Sequence, residues 1–241
     1  GEKPEEKGGM YMGHPGLKIS PSMERCDWMN MEQEVRRLEE AEVDFLHLDI
    51  MDMTYGHSIL LSPHLIPRLK QATDTPLDIH IFVRQAERFL PEIMEVCDER
   101  DYITIQLEAS VRPAHTLALI QERGLRSGIV LEIGTPAAAL EQLLPFTDMV
   151  NLIIRDPGIP VRDLNPLLVK KIQDTRALMD ACGMEECDLA VDGSIRFDDV
   201  PILLEAGANM LVVGSRIVFR EGASYKESCD RLRKTAEEYK I

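Results

Sequence analysis

Apolar and polar positions follow one rhythm along this chain after Gly16. A short apolar run rich in β-branched residues leads into a polar turn and then into a longer segment whose apolar residues recur at helical spacing. Each such unit predicts a strand followed by a helix. The predicted strands cover residues 17–20, 45–49, 77–83, 102–108, 128–133, 149–154, 189–192 and 210–214. The segments predicted as helices include MNMEQEVRRLEEA, PAAALEQLLPF and NPLLVKKIQDTRALMDA.

The order of these elements predicts the fold. Parallel neighbours cannot be joined by hairpins, so strands that alternate with helices form a parallel sheet with right-handed crossovers. Eight such units fit an α/β fold, a single-domain (β/α)8 TIM barrel over residues 17–241, which typically takes about 250 residues. An open doubly wound sheet is the alternative, but no GxGxxG motif follows the first predicted strand to support it. In a barrel, the chemistry lies at the carboxyl ends of the strands.

The composition narrows the class of protein. Hydrophobic residues make up 44% and charged residues 29% of the chain, which is typical of a soluble protein with a core. No apolar run approaches the roughly 20 residues of a membrane-spanning helix. Lys and Arg number 27 against 42 Asp and Glu, so the net charge of −15 disfavours nucleic acid and anionic membranes as partners. An anionic small molecule would need a local positive site.

The cysteines and the first residues suggest a compartment. The five cysteines are odd in number and scattered, so we expect free thiols in a reducing cytoplasm. The first 16 residues, GEKPEEKGGMYMGHPG, lack the apolar stretch of a signal peptide, and we expect a flexible leader over residues 1–16. We also expect a homo-oligomer. Met23, Met29 and Met31 offer a contact surface for it, although core packing is the commoner use of such residues.

Polar residues with metal-binding chemistry lie in three of the predicted strands. His47 and Asp49 are two residues apart, so their side chains leave the second strand on the same face. His80 lies within the apolar run LDIHIF, and Asp192 ends the seventh strand. Two imidazoles and two carboxylates suit zinc, iron, manganese or cobalt. The alternatives are a hydrogen-bonded core histidine and an aspartate that caps a helix, but four such buried groups together would be costly without a ligand.

The two carboxylates also suggest a reaction. Asp49 and Asp192, facing each other across a substrate, could remove a proton from one face of a carbon and return one to the other face. The proton must be acidic and therefore adjacent to a carbonyl, and the charge of a metal would stabilise the resulting enediolate. This chemistry is epimerisation.

At these residues the sequence resembles the ribulose-phosphate 3-epimerase family, and within it the allulose-6-phosphate 3-epimerase branch. The motifs are KISPS (18–22), HLDIMD (47–52), LSP (61–63), PLDIH (76–80), DPG (156–158), VDGS (191–194) and VGS (213–215). The resemblance implies a divalent metal bound by His47, Asp49, His80 and Asp192, and acid/base roles at C3 of a ketose phosphate for the two aspartates.

The resemblance also implies how the substrate is held. Of Ser20 and Ser22, Ser22 is expected to contact it, and Met51 matches a methionine of the active-site floor. Backbone N–H groups of the turns after the seventh and eighth strands, together with a helix N-terminus, are expected to hold the phosphate. The remaining expected substrate contacts are Gly158, Gly193, Ser194, Gly214 and Ser215, with Arg216 added as a charged contact.

Several departures from the family bear on the substrate. The Gly-rich lid reads RDPGIPVRDL at residues 155–164, in which Pro160 provides no N–H to a phosphate. Arg155, Arg162 or Arg216 could replace the lost donors, or each could be a solvated surface charge. MTYGHS at residues 53–58 alters one wall of the pocket. Gln106 stands for a family histidine and Glu132 for an asparagine.

These observations predict a metal-dependent epimerase that inverts C3 of allulose 6-phosphate or ribulose 5-phosphate. One alternative is an enzyme of the same scaffold that acts on another sugar phosphate or a sugar acid. The other is a non-catalytic barrel that binds a sugar phosphate. The altered lid favours both alternatives, and the intact set of four metal-binding residues favours the epimerase.

Overall fold

The computed structural model describes residues 16–53, 58–155 and 163–239. It contains eight strands, one for each predicted strand. They are β1 (Lys18–Pro21), β2 (Leu46–Met51), β3 (Leu77–Phe82), β4 (Tyr102–Gln106), β5 (Arg126–Leu131), β6 (Met149–Ile153), β7 (Asp188–Asp192) and β8 (Met210–Val213). The first and last residues of most strands agree with the prediction to within two residues. They agree because the apolar runs from which the strands were predicted are the segments that form them.

In the described part of the chain, seven α-helices pack around the strands. They are α1 (Met31–Glu40), α2 (Ile66–Ala72), α3 (Leu90–Met94), α4 (Pro113–Glu122), α5 (Pro166–Ala181), α6 (Val200–Glu205) and α7 (Tyr225–Glu238). The prediction of a helix for PAAALEQLLPF is wrong. That segment forms two 3-10 helices, Ala137–Leu140 and Leu144–Phe146. Pro145 explains the difference, because in an α-helix its ring would clash with the carbonyl of Glu141.

The strands close into a barrel. All pairings in the sheet are parallel, in the order β1-β8-β7-β6-β5-β4-β3-β2. The ring closes between β1 and β2 through a parallel bridge of Ser22 with His47 and a 3.3 Å hydrogen bond from the N–H of Phe45 to the carbonyl of Ile19. The predicted TIM barrel is therefore confirmed, and the open doubly wound sheet is excluded.

One end of the barrel is plugged, which leaves the other end for chemistry. Phe45, Tyr102, Met149 and Met210 pack together with Ala190 inside the barrel. At the amino-terminal ends of their strands, Asp188 accepts hydrogen bonds of 2.7 Å from the Lys18 ammonium and from the Tyr102 hydroxyl. These groups fill the interior and satisfy one another, so no space for a substrate remains at this end.

Other expectations are met only in part. All five cysteines are free thiols, as predicted. Within the described ranges, no helix is long and apolar enough to cross a membrane. Met23 is fully buried in the core, whereas Met29 is 90% exposed. Residues 1–15 of the predicted leader lie outside the described residues, and the cytoplasmic location and the homo-oligomer stay predictions.

Candidate functional site

The carboxyl ends of three strands bring the four predicted metal-binding residues together. His47 and Asp49 point from the same face of β2, His80 lies beside Asp49 on the neighbouring β3, and Asp192 is the last residue of β7. One ligand atom from each residue lies within 4.8 Å of the other three. Both imidazoles are buried, while the side chains of Asp49 and Asp192 keep 15% and 21% of their surface exposed towards the mouth of the barrel.

A buried aspartate orients His47. Its Nδ1 lies 2.6 Å from Oδ2 of Asp78, and a carboxylate can only accept, so Nδ1 carries the proton. Nε2 faces the cluster, 3.1 Å from Asp49 and 3.8 Å from Asp192, and is the ring nitrogen that would bind a metal. Carboxylates behind metal-binding histidines commonly fix the tautomer in this way. Asp78 was not assigned a role from the sequence, although it lies in the motif PLDIH.

The environments of the two site carboxylates push their pKa values apart. Burial raises the pKa of Asp192 to about 7, and the negative charge of Asp49 adds to this effect. Burial also opposes ionisation of Asp49, but the charge of His47 and hydrogen bonds with both histidines outweigh it, so the pKa of Asp49 lies well below its usual range. Two neighbouring carboxylates with such different pKa values are suited to one acid and one base.

Ser22 and Met51 lie at the site, as expected. The Ser22 hydroxyl donates a 3.0 Å hydrogen bond to Oδ2 of Asp49, so its contact in the protein is with a site carboxylate. Met51 is the last residue of β2 and is buried. Ser22, directly after β1, therefore contacts Asp49, and Met51 lies two residues beyond Asp49 on β2.

The turn after β7 is built around a close approach of two backbones. Gly193 has a φ of +128°, and a Cβ there would lie 2.6 Å from the N of Arg155. Ser194 follows with a φ of +47°, a left-handed conformation that is uncommon outside glycine. Unusual backbone conformations of this kind are often found at binding sites.

The turn after β8 lies at the same end of the barrel. The N–H groups of residues 217–219 all point to the carbonyl of Gly214, so the chain makes a tight turn here, and the next helix begins only at Tyr225. Ser215 and Arg216 are exposed on this turn. The helix N-terminus expected to face the phosphate therefore does not follow β8 directly.

The structure gives Arg155 a different role from the one considered. Its guanidinium pairs with Asp199 at 2.9 Å and donates to the carbonyls of Gly193 and Ser194 at 3.2 Å. Arg155 therefore holds the turn after β7. Gly158 and Arg162 lie outside the described residues.

Two residues that the sequence did not single out border the site. Glu24 follows β1 with a side chain only 17% exposed, and burial together with the charge of Asp49 raises its pKa. Its carboxylate lies 2.5 Å from Arg25, whose Cγ would lie 3.4 Å from a Cβ placed on Gly214. Glu24 and Arg25 lie within three residues of the end of the motif KISPS, and this proximity was the signal available in the sequence.

The four clustered residues fit a divalent metal by their chemistry. Two imidazole nitrogens and two carboxylate oxygens form a donor set typical of zinc, iron, manganese and cobalt. Burial, and after it the negative charge of Asp49, raises the pKa of Asp192, and a positive ion between the two carboxylates would offset both effects. The exposed fractions of both carboxylates leave a side of the cluster open towards the mouth.

Comparisons with known proteins identify the family of this chain. A model of the ribulose-phosphate 3 epimerase family matches residues 18–218. The ribulose-phosphate 3-epimerase of Bacillus subtilis (strain 168) is 28% identical over 201 residues, or 83% of this chain and 92% of that protein. The ribulose-phosphate 3-epimerase of Methanocaldococcus jannaschii is 29% identical over 220 residues, or 91% of each chain.

A solved structure shares the fold. The 3-keto-L-gulonate-6-phosphate decarboxylase of Vibrio cholerae O1 biovar El Tor matches 93% of this chain and 99% of its own, with a TM-score of 0.70 and 11% sequence identity. At this identity the likeness concerns the barrel alone.

Proposed function

Because this chain belongs to the ribulose-phosphate 3-epimerase family, which it matches over residues 18–218, we propose that it inverts C3 of ribulose 5-phosphate with the help of a divalent metal. The family makes the chain a carbohydrate-phosphate epimerase, an isomerase. The match supports a pentulose phosphate as the substrate class. Allulose 6-phosphate, the substrate implied by the branch predicted from the sequence, is the competing candidate.

The convergence of His47, Asp49, His80 and Asp192 within 4.8 Å carries this proposal. Asp49 and Asp192 enter the cluster from β2 and β7, which are separated in the ring by β1 and β8. A substrate carbon above the cluster would thus have a carboxylate on either side. That geometry is what the inversion of one carbon requires, because the proton must leave from one face and return to the opposite face.

The two carboxylates can share this work. Asp49, whose pKa is low, is ionised and can accept the C3 proton of one epimer. Asp192, whose pKa is near 7, can hold the proton that is delivered to the other face. The roles exchange in the reverse direction. Ser22 holds the Asp49 carboxylate in place through its hydrogen bond to Oδ2.

The metal would be held by Nε2 of His47, Nδ1 of His80 and the carboxylates of Asp49 and Asp192. When bound there, zinc, iron, manganese or cobalt would supply positive charge beside the substrate oxygens and make the neighbouring C–H more acidic. The donor set does not select among these ions.

The phosphate end of the substrate would lie at the turns after β7 and β8. Gly193, Ser194, Gly214 and Ser215 present backbone there, and Arg216 is exposed beside them. Arg25 reaches the same place along Gly214. Met51 would line the floor near C3, and Gly158 would contribute from the lid, which lies outside the described residues.

The test combines metal analysis with deuterium exchange in heavy water. The wild-type protein is expected to contain about one metal ion per chain and to incorporate deuterium at C3 of ribulose 5-phosphate. Asp49→Asn and Asp192→Asn should each lower epimerisation by about 10²–10⁴-fold, the usual contribution of a general acid or base. Each variant should keep residual exchange for only one of the two C3 epimers. Asp174→Asn, which changes an exposed aspartate of α5, is the control.

Two outcomes would contradict the proposal. Undiminished epimerisation in both site variants would show that these carboxylates do not move the proton. Exchange at C3 of allulose 6-phosphate but not of ribulose 5-phosphate would replace the substrate and keep the mechanism.

A further inference from the structure

We infer that Glu108, acting through Gln106, fixes the ring of His80 so that Nδ1 faces the metal site, and that this link sets much of the affinity for the metal. The inference rests on the proposed metal-dependent function. It makes Gln106 and Glu108 positioning residues, because neither belongs to the cluster of ligand atoms.

The link is a continuous chain of hydrogen bonds. Nε2 of His80 lies 3.0 Å from Oε1 of Gln106, and Nε2 of Gln106 donates to Oε2 of Glu108 at 2.6 Å. His80 and Gln106 are buried, so water does not compete for these groups. On the other edge of the ring, Nδ1 of His80 faces Oδ1 of Asp49 at 3.3 Å.

The carboxylate at the far end sets the direction of the whole chain. A carboxylate only accepts hydrogen bonds, so the amide of Gln106 must turn its NH2 group towards Glu108. Its carbonyl oxygen then faces His80 and accepts from Nε2–H. With Nε2–H held by Gln106, Nδ1 is the ring nitrogen left to give its lone pair to a bound metal. Reversing the amide would place two oxygens against each other at Glu108 and lose the acceptor for His80.

Glu108 is itself held in place, although it is exposed. Its Oε1 accepts a 3.0 Å hydrogen bond from the backbone N–H of Glu132 and another from the Thr135 hydroxyl. The carbonyl of Glu132 in turn accepts from Lys171 at 2.6 Å. The carboxylate is therefore anchored to the loop that follows β5, and its position does not depend on the freedom of its own side chain.

The ring plane of His80 has a separate support. Phe82 stacks on it with ring centroids 5.2 Å apart and an angle of 16° between the planes. Stacking fixes the plane but leaves the two nitrogens free to exchange roles. The hydrogen bond to Gln106 is what distinguishes them. Both histidines of the site are thus backed by a carboxylate, His47 directly by Asp78 and His80 through an intervening amide.

The experiment measures zinc affinity and the tautomer of His80. Zinc dissociation constants come from competition with a chromophoric chelator, and long-range 1H–15N NMR spectra of the imidazoles identify the protonated nitrogen. Gln106→Leu and Glu108→Gln should weaken zinc binding by about 10–100-fold, as loss of such outer contacts does elsewhere. In both variants His80 should populate Nδ1–H as well as Nε2–H, whereas the wild-type ring should show Nε2–H only.

Glu132→Gln is the matched control. It removes one negative charge from the same loop but keeps the backbone N–H that anchors Glu108, so zinc affinity and the His80 tautomer should stay unchanged. Glu108→Gln, at an exposed residue, keeps the test usable if Gln106→Leu does not fold.

The outcomes separate this inference from the proposed function. Wild-type zinc affinity together with a single Nε2–H tautomer in Glu108→Gln would overturn the inference. An equal loss of affinity in Glu108→Gln and Glu132→Gln would also overturn it, since charge alone would then be responsible. Absence of zinc binding in the wild-type protein would instead refute the metal-dependent function, and the NMR spectra would still decide whether Gln106 sets the tautomer.

Discussion

Replacing Gly193 with alanine should destabilise the barrel and disturb Asp192 with it. The added Cβ would lie 2.6 Å from the N and 2.8 Å from the O of Arg155, distances that real Cβ atoms do not tolerate. Both contacts are with backbone, so no side chain can rotate away. The backbone around Arg155 is tied to the site, because the N–H of Ile154 donates to the carbonyl of Asp192 at 2.7 Å.

A second glycine separates backbone strain from this steric clash. Gly124 has a φ of +72° and nothing within 4 Å of an added Cβ, so Gly124→Ala should cost only the left-handed strain, about 1 kcal/mol. Gly193→Ala adds the displacement of a packed backbone, which is comparable to overpacking a core and costs about 1–3 kcal/mol more. The expected total is roughly 3 kcal/mol.

Urea unfolding followed by circular dichroism measures both variants. The midpoint should fall further for Gly193→Ala than for Gly124→Ala, while the slope of free energy against urea stays constant. Epimerisation should decline only in Gly193→Ala. Equal destabilisation by the two substitutions would refute the argument, since it would mean that the contact between Gly193 and Arg155 is not maintained in solution.

Two further predictions concern charged residues. The Arg100 guanidinium, together with Lys70, holds the pKa of Asp98 well below its usual range. This carboxylate therefore stabilises the fold fully above a pH of about 3.9, the pKa of an unperturbed aspartate. The stabilisation is lost as the pH falls towards the lower pKa of the folded state. Asp98→Asn should therefore reduce stability at neutral pH and flatten its decline in acid; an unchanged acid unfolding curve would contradict this. Arg25→Gln should raise KM for ribulose 5-phosphate by about 10–100-fold, the value of a hydrogen bond to a charged group, with zinc affinity unchanged. An unchanged KM would show that the phosphate does not approach Arg25.

The fold and the clustering of His47, Asp49, His80 and Asp192 could be predicted because both depend on local periodicity. Side chains two residues apart share a face of a strand, which places His47 and Asp49 together without knowledge of the rest of the molecule. The closed parallel sheet then gathers the carboxyl ends of β2, β3 and β7 at one mouth. A pattern with period two and the topology of the barrel were sufficient for this part of the site.

The contacts of long polar side chains could not be predicted in the same way. Arg155 could reach a phosphate or a carbonyl from the same backbone position, and only the folded chain shows that it holds the turn after β7. Glu132 drew attention because it stands for a family asparagine, yet its backbone N–H is what anchors Glu108. Such partners depend on distances across loops, on which the sequence pattern carries no information.

The distribution of charge at the mouth suggests how an anionic substrate is oriented in a protein of net charge −15. Asp49, whose pKa is lowered, keeps a negative charge beside the clustered histidines, and this charge would repel a phosphate from that part of the mouth. The exposed Arg216 places positive charge at the turn after β8, where Arg25 also lies, paired with Glu24. A sugar phosphate entering the mouth would therefore meet opposite charges at its two ends, and this separation would direct its carbon chain towards the two aspartates.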